Sequence, residues 1–436
     1  MEILENKALV FEHSNPSSIA PHLAKSRVLG GGKVAVHWGH EEVETLALLG
    51  VDAPSPILRD YSWTGKLTPF EHQKKTASFL SVRQRAFCFN EQGTGKTASV
   101  IWAADYLMKR GEVSRVLVLC PLSIMKSAWQ QDLFKFAMHR SCGVAHGTAT
   151  QRSAVVNSGA EFVVVNFDGL AIIKDEIING GFDLIVVDEA NAYKNPSTKR
   201  WKVLNNLIKP HTWLWMLTGT PASQSPVDAY GIAKLVNPEG VPRFYGGFRD
   251  QVMLKISQFK WVPKVDSELT VHRALQPAIR FTKEQCLDLP EMTYVTRDVP
   301  LTPQQEKYYE MLRKQLIVQA AGEEITTVNA AANLNKLLQL SGGAVYSDSG
   351  EVVQFDASNR LAVLREVVEE SSHKVLVFVP YRHAIEVVAE DLRKHGYPTA
   401  VIHGGVSAGK RSEIFERFQT KDDLRVLVIQ PQAASH

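Results

Sequence analysis

The sequence predicts an α/β protein of two lobes, each built on a parallel sheet, with a helical insertion between them and a small α/β appendage in front. Three observations predict it. Apolar runs of strand length alternate with helix-length segments between residues 87 and 217, and a second alternation of the same kind begins near residue 357. Runs that are apolar throughout, rather than at every second position, mark strands buried on both faces, as in a parallel sheet covered by helices. The third observation is length: 436 residues exceed one ordinary core and fit two to three domains of about 100–200 residues each.

Residues 1–60 form the appendage. Apolar runs at 8–11 and 34–38 read as strands, each followed by a helix-compatible stretch, with Gly30, Gly31 and Gly32 as punctuation. Pro54 and Pro56 then bias 51–56 toward an extended linker. This segment holds three Lys and two Arg against eight acidic residues, so it sums to -3 and the remainder of the net +3 chain to +6. The first lobe, 61–230, carries strands at 87–89, 116–120, 162–165, 184–187 and 214–217. Helical periodicity at 302–316 and 330–340 assigns 231–356 to the helical insertion and the bridge between lobes. The second lobe, 357–436, has strands at 375–379, 399–402 and 425–429.

Composition excludes several function classes. With 44% hydrophobic and 22% charged residues, the chain belongs with soluble globular proteins rather than disordered or fibrous ones. No apolar run approaches the roughly 18–20 residues that span a bilayer, and the acidic start lacks a signal-peptide pattern, so no membrane partner and a cytoplasmic location are expected. Cys88, Cys120, Cys142 and Cys286 are too scattered for a metal site or a disulfide framework and read as reduced thiols. His403 and His436 lack ligand partners at metal-site spacing and read as structural.

The strand at 87–89 runs into Asn90-Glu91-Gln92-Gly93-Thr94-Gly95-Lys96-Thr97 and then into a helix. Strand, glycine loop and helix together form a phosphate cradle. Gly93 and Gly95 let backbone amides turn toward phosphate oxygens, the helix N-terminus adds its dipole, Lys96 supplies charge, and Thr97 can ligate magnesium. Asn90 stands where this loop pattern usually begins with glycine. Downstream, the strand at 184–187 ends in Asp188, Glu189, Ala190 and Asn191. A carboxylate pair at a buried strand's end suits magnesium at Asp188 and the attacking water at Glu189, with Lys96, Asp188 and Glu189 as the catalytic set.

These residues, with three further segments, resemble the Swi/Snf family of helicase superfamily two, over roughly residues 65–436. Lys194-Asn195 follows the acidic box, Thr218-Gly219-Thr220-Pro221 follows an apolar strand, and Leu289-Pro290, Leu301-Thr302-Pro303-Gln304-Gln305 and Tyr308 match the family's bridge. The compact size is similar to forms carried by bacteriophages, which would place the protein in the nucleoid or the host-cell cytoplasm. The resemblance implies two recA-like lobes, ATP and Mg2+ as substrate and cofactor, and double-stranded DNA as partner. It also implies roles by position. Gln73, in the segment 67–73, would read adenine, with Gly93, Thr94, Gly95, Lys96 and Thr97 holding the phosphates. Ser123, Lys126 and Asn166 would bind DNA phosphates in the first lobe, as would Arg382 and the Gly404 backbone in the second. Asn191, Thr218, Gly219 and Thr220 would couple the two activities.

Two departures qualify the family pattern. Asn191 stands where the family usually has histidine, though an amide still donates and accepts hydrogen bonds. The chain ends inside what resembles the fifth motif, so the sixth motif's arginine is expected from a second polypeptide that completes the second lobe, or from a longer protein. Outside the motifs, 241–264 carries Arg243, Arg249, Lys255, Lys260 and Lys264 against Asp250 alone, interleaved with aromatics. That composition suits a phosphate backbone as well as an internal core. The leading expectation is thus an ATP-driven DNA translocase that need not separate strands. A DNA- and ATP-binding half-motor with weak turnover, and the motor subunit of a restriction or repair nuclease, are the alternatives.

Overall fold

The computed structural model describes residues 1–222, 224–257, 260–287, 293–322, 327–346 and 352–434. The chain divides into two compact units, Met1–Pro290 and Glu291–His436. Leu289 and Pro290 of the expected bridge, Phe259, and the terminal His436 lie outside the described residues.

The appendage is a four-stranded antiparallel sheet rather than two strand-helix pairs. Its strands are β1 (Glu2–Leu4), β2 (Ala8–Glu12), β3 (Ser26–Val28) and β4 (Lys33–His37), in the order β1-β2-β4-β3. β1 and β3 are edge strands of three residues each, too short to show a period, so they gain strand structure through pairing. One face packs Leu9, Phe11, Val34 and Val36 against the helix His40–Leu48 and against Val82, which lies just past the helix Glu71–Leu80. The proline-bearing linker is anchored: Trp38 Nε1 donates to the Pro54 carbonyl at 2.7 Å, and Ser55 N donates to Ser78 Oγ at 2.8 Å.

The first unit's main sheet holds seven parallel strands. Besides β5 (Arg85–Cys88), β6 (Val116–Cys120), β8 (Phe162–Asn166), β9 (Leu184–Asp188) and β10 (Trp213–Leu217), it contains β7 (Cys142–Ala145) and a strand further along at Ala278–Ile279. The hairpin β11 (Met253–Lys255) and β12 (Trp261–Pro263) precedes that last strand, β13. The order is β13-β5-β10-β9-β6-β8-β7. Strands β6, β9 and β10 are buried at every position, which is why the sequence shows them as unbroken apolar runs. Helices on the two faces build two separate cores. One gathers Tyr193, Tyr230 and Phe248, the other Trp102, Trp129 and Trp215. The stretch 231–356, expected to hold a helical insertion and the bridge between lobes, is shared between the units. Its first part holds the hairpin and β13, which completes the first unit's sheet beside β5.

The second unit contains the helices Pro303–Gly322 and Thr327–Ser341, the hairpin β14 (Ala344–Tyr346) and β15 (Val352–Gln354), and a parallel sheet. That sheet comprises β16 (Val375–Phe378), β17 (Thr399–Ile402) and β18 (Val426–Ile429), ordered β16-β18-β17. β18 is buried throughout, whereas Leu376 and Phe378 on the edge strand β16 are exposed. Thr302 and Gln305 of the bridge are buried: the Gln305 amide donates to the Leu340 carbonyl at 2.9 Å, and Thr302 Oγ1 donates to the Asp356 carbonyl at 2.7 Å. All four cysteines are free, Cys88 and Cys120 buried and the other two partly exposed. Among the described residues no helix is long and apolar enough to cross a membrane.

Candidate functional site

Because every strand of the seven-stranded sheet runs the same way, all their carboxyl ends lie along one edge. Pairing sets Cys88 level with Leu217, Leu217 level with Asp188, and Cys120 level with Asn166. At about 4.8 Å between neighbouring strands, β5 and β8 stand four steps apart, or about 19 Å. The phosphate loop after β5, the acidic box after β9 and Thr218 after β10 therefore form one continuous patch. Ser123, Lys126 and Asn166, after β6 and β8, form its neighbour.

The loop is held from both sides. Gly93 and Gly95 have φ of 84° and 79°, the left-handed region where a side chain is strained. At Gly95 the restriction is also steric, since a Cβ there would lie 2.0 Å from Gln73 Nε2. The helix Lys96–Arg110 starts at that glycine, so its first amides face the loop. Lys96 Nζ donates to the Glu91 carbonyl at 3.2 Å, and Thr97 follows it on the first turn. Thr94 Oγ1 also donates to Glu91, at 2.7 Å, which tightens the loop. Asn90 explains its own departure from glycine. Buried, it donates to Thr76 Oγ1 at 2.8 Å and accepts from Phe281 N at 3.0 Å, tying the helix Glu71–Leu80 and the segment after β13 to the loop.

Gln73 is nearly buried, and its amide engages protein groups on both sides. Its carbonyl accepts from Phe70 N at 3.0 Å, and Nε2 donates to the Thr94 carbonyl at 3.3 Å. His72 meets the same carbonyl, with Nε2 at 2.8 Å. The segment around Gln73 thus buttresses the phosphate loop.

Asp188 ends β9 and is 7% exposed. Trp129 Nε1 donates to its Oδ2 at 3.0 Å, and Glu189 N donates to its Oδ1 at 3.1 Å. Burial pushes the Asp188 carboxyl up to about 6, with the Glu189 charge adding to the shift and the Trp129 hydrogen bond and Lys96 opposing it. Glu189 has φ of 57°, a conformation that costs an L-residue about 1–2 kcal/mol. That turn swings its carboxylate out of the strand, where Gln92 Nε2 donates to it at 3.4 Å. Asn191 Nδ2 donates to the Thr220 carbonyl at 2.8 Å and lies 3.3 Å from Thr220 Oγ1. An asparagine in place of histidine therefore still joins the acidic box to the segment after β10. Thr218 is fully buried, and its amide donates to the Cys88 carbonyl at 3.1 Å. Gly219 passes close to Glu91 and Gln92, where a Cβ would make ordinary contact at 3.6–3.7 Å.

One buried carboxylate, one helix-start hydroxyl and the phosphates of a bound nucleotide make the all-oxygen donor set that magnesium takes. Asp188 and Thr97 fit that role. A proton on Asp188 competes with the cation. Magnesium-dependent nucleotide binding should hold above pH 7 and weaken by about tenfold per unit below pH 6, beyond the change free nucleotide shows. A flat profile across that range in a calorimetric titration would contradict the assignment.

In the neighbouring patch, Asn166 Oδ1 accepts from Nη1 of the buried Arg152 at 2.9 Å. Arg152 is itself fixed by the carbonyls of Ala145 and Gly147, so the Asn166 amide keeps its donor end for another partner. Ser123 precedes the π-helical turn Met125–Gln130, which carries the exposed Lys126 and the fully buried Trp129. Lys194, just past the acidic box, donates to Gln224 Oε1 at 2.8 Å and pairs with Asp228 at 3.2 Å. In the second unit, Arg382 and Gly404 are exposed beside the ends of β16 and β17, and a Cβ on Gly405 would lie 3.3 Å from an Arg382 nitrogen. Gly404 N donates to Gln430 Oε1 at 3.3 Å, and His403 lies 3.6 Å from Glu386.

Residue order alone missed His72, Trp129 and Arg152. Each is a buried side chain with a polar group, His72 and Trp129 in or beside a recognised segment and Arg152 on the helix Ala149–Val156, and its partner is fixed only by the fold. The aromatic-basic stretch proves divided. Phe248 is core, and Trp261 packs on that core under the Arg249 guanidinium, 4.0 Å from its ring centre. Arg249 also pairs with Asp250, and Lys264 Nζ donates to the Asp250 carbonyl, whereas Lys255 and Lys260 are exposed.

Residues 72–342 match the model of the SNF2-related domain, and residues 359–434 match that of the helicase conserved C-terminal domain. Protein p41 of Acyrthosiphon pisum secondary endosymbiont phage 1 is 27% identical over 339 residues, covering 73% of each chain. The mouse chromodomain-helicase-DNA-binding protein 1-like is 25% identical over 350 residues, which make up 76% of this chain but 38% of that one. Among solved structures, the Sulfolobus solfataricus SWI2/SNF2 ATPase core in complex with dsDNA is similar at a TM-score of 0.47 and 22% identity, covering 84% of this chain and 79% of that one.

Proposed function

The chain belongs to the SNF2-related family of helicase-like ATPases, and on that premise we propose that it hydrolyses ATP to drive movement along double-stranded DNA. One observation carries the proposal. The phosphate loop, the acidic pair and the Thr218–Thr220 segment meet at one sheet edge, and Asn191 bonds directly to Thr220. That bond connects the acidic box to the segment after the neighbouring strand, the kind of link a mechanochemical ATPase needs.

The residues act as follows. The loop amides and Lys96 hold the β- and γ-phosphates and offset their charge. Lys96 leaves its Glu91 carbonyl for the phosphates, a short move within the loop. Asp188 and Thr97 would hold magnesium, which would supply charge neutralisation at the terminal phosphates. Glu189, held out of the strand by its left-handed backbone, orients the attacking water and accepts its proton. Gln73 senses the nucleotide from the base side through its bond to Thr94, the loop residue it shares with His72.

DNA phosphates are taken to meet Ser123, Lys126 and Asn166 in the first unit, and Arg382 and the Gly404 amide in the second. These contacts position without reading sequence. The direct test is ATP turnover with and without duplex DNA, paired with displacement of a third strand from a triplex as the readout of translocation. Turnover that duplex DNA leaves unchanged would refute the DNA-driven reading, and nucleotide binding without turnover would leave a binding protein.

Lys255 and Lys260, on the two sides of the β11–β12 hairpin, offer a further contact. Reversing both charges should weaken duplex affinity several-fold at low salt and flatten its salt dependence by about two phosphate contacts. An unchanged salt slope would assign the hairpin a packing role alone.

A further inference from the structure

We infer that Lys283 is a second phosphate-binding lysine of the nucleotide site, reaching the loop from the segment after β13; the inference rests on the ATPase reading and deepens it. The strand β13 lies beside β5, and the pairing continues past its end into the loop. Phe89 N donates to the Ile279 carbonyl at 2.8 Å, and Glu91 N donates to the Phe281 carbonyl at 3.0 Å. Phe281 N then donates to Asn90 Oδ1 at 3.0 Å, and Lys283 N donates to Glu91 Oε2 at 3.1 Å. Four hydrogen bonds thus fasten residues 279–283 to residues 89–91, which lead directly into the glycines.

The outcome for the Lys283 side chain is specific. Its Cε lies 3.8 Å from where a Cβ on Gly93 would sit. The side chain thus passes beside the loop's tip, where the Gly93 backbone is bare and left-handed, and its ammonium, one rotatable bond from that carbon, can turn toward a phosphate held there. Glu91 organises both cations. Its carbonyl accepts from Lys96 Nζ, and its carboxylate accepts from the Lys283 backbone amide. A triphosphate carries several negative charges, and a flexible ammonium at the rim of its cradle is a point charge of the right sign in reach of the terminal phosphates. Lys283 lies 187 residues after Lys96 in the sequence, and no local motif marks it.

The test is steady-state hydrolysis and fluorescent-nucleotide binding by the full chain, for Lys283→Ala, Lys283→Arg and Lys96→Ala beside the unaltered protein. A charge-assisted hydrogen bond corresponds to about tenfold or more in affinity. Lys283→Ala should therefore raise the KM and Kd for ATP about tenfold with kcat within a few-fold and an unchanged melting temperature. Lys283→Arg should restore most of the loss, which a packing defect would not allow. If Lys283→Ala binds ATP like the unaltered chain while Lys96→Ala loses it, this inference is wrong and the ATPase reading stands. If the unaltered chain binds no ATP, both fall.

Discussion

Replacing Lys96 by alanine should lower ATP turnover by roughly 10³-fold or more, because the ammonium is the only side-chain cation of the loop's own motif and its worth grows as charge develops on the transferred phosphoryl group. Its present partner is the Glu91 carbonyl, a neutral acceptor at 3.2 Å that it can exchange for phosphate. The measurement is phosphate release by the purified variant with saturating duplex DNA. Folding should survive, since Lys96 is partly exposed and the helix it starts is anchored by Val100, Ile101 and Trp102 in the core. A variant that kept a tenth of normal turnover would exclude this loop as the catalytic one.

Glu189→Gln should separate binding from chemistry. The amide keeps the size and the contact with Gln92 but cannot accept a proton, so turnover should fall by about 10²–10⁴-fold while ATP affinity stays within a few-fold. The backbone at Glu189 is already in the left-handed region, and glutamine adds no new strain there. Loss of ATP binding together with turnover would move the role of Glu189 from the water to the cation site. Single-turnover hydrolysis and nucleotide titration, performed side by side, distinguish the two.

Much of the architecture is legible in the sequence. Strands 116–120 and 399–402 appear where their apolar runs placed them, and β9 and β10 differ by one residue at an end. β6, β9 and β10 are buried on both faces, and burial writes a continuous apolar signature into the residues themselves. The missing strands have the opposite character. β7 contains Gly143 and only partly buried positions until Ala145, and it becomes a strand because β8 pairs with it. β13 is two residues long and exists through β5. Pairing partners contribute the hydrogen bonds in such cases, and a partner nearly 200 residues away leaves no local trace.

The site divides in the same way. Residue types and spacing were enough to name the loop, the acidic pair and the Thr218–Thr220 segment, since phosphate, magnesium and water each demand particular groups at strand ends. They also located Asn191 as a departure, though not what it does. Folding alone decided that Asn191 bonds to Thr220, that Trp129 caps Asp188, that Gln73 and His72 share the Thr94 carbonyl, and that Lys283 lies over Gly93. The division has one physical cause. Chemistry at a strand end follows from the residues that occupy it, whereas the second layer around them is set by strand order and side-chain packing, which join residues from 14 to 192 positions apart.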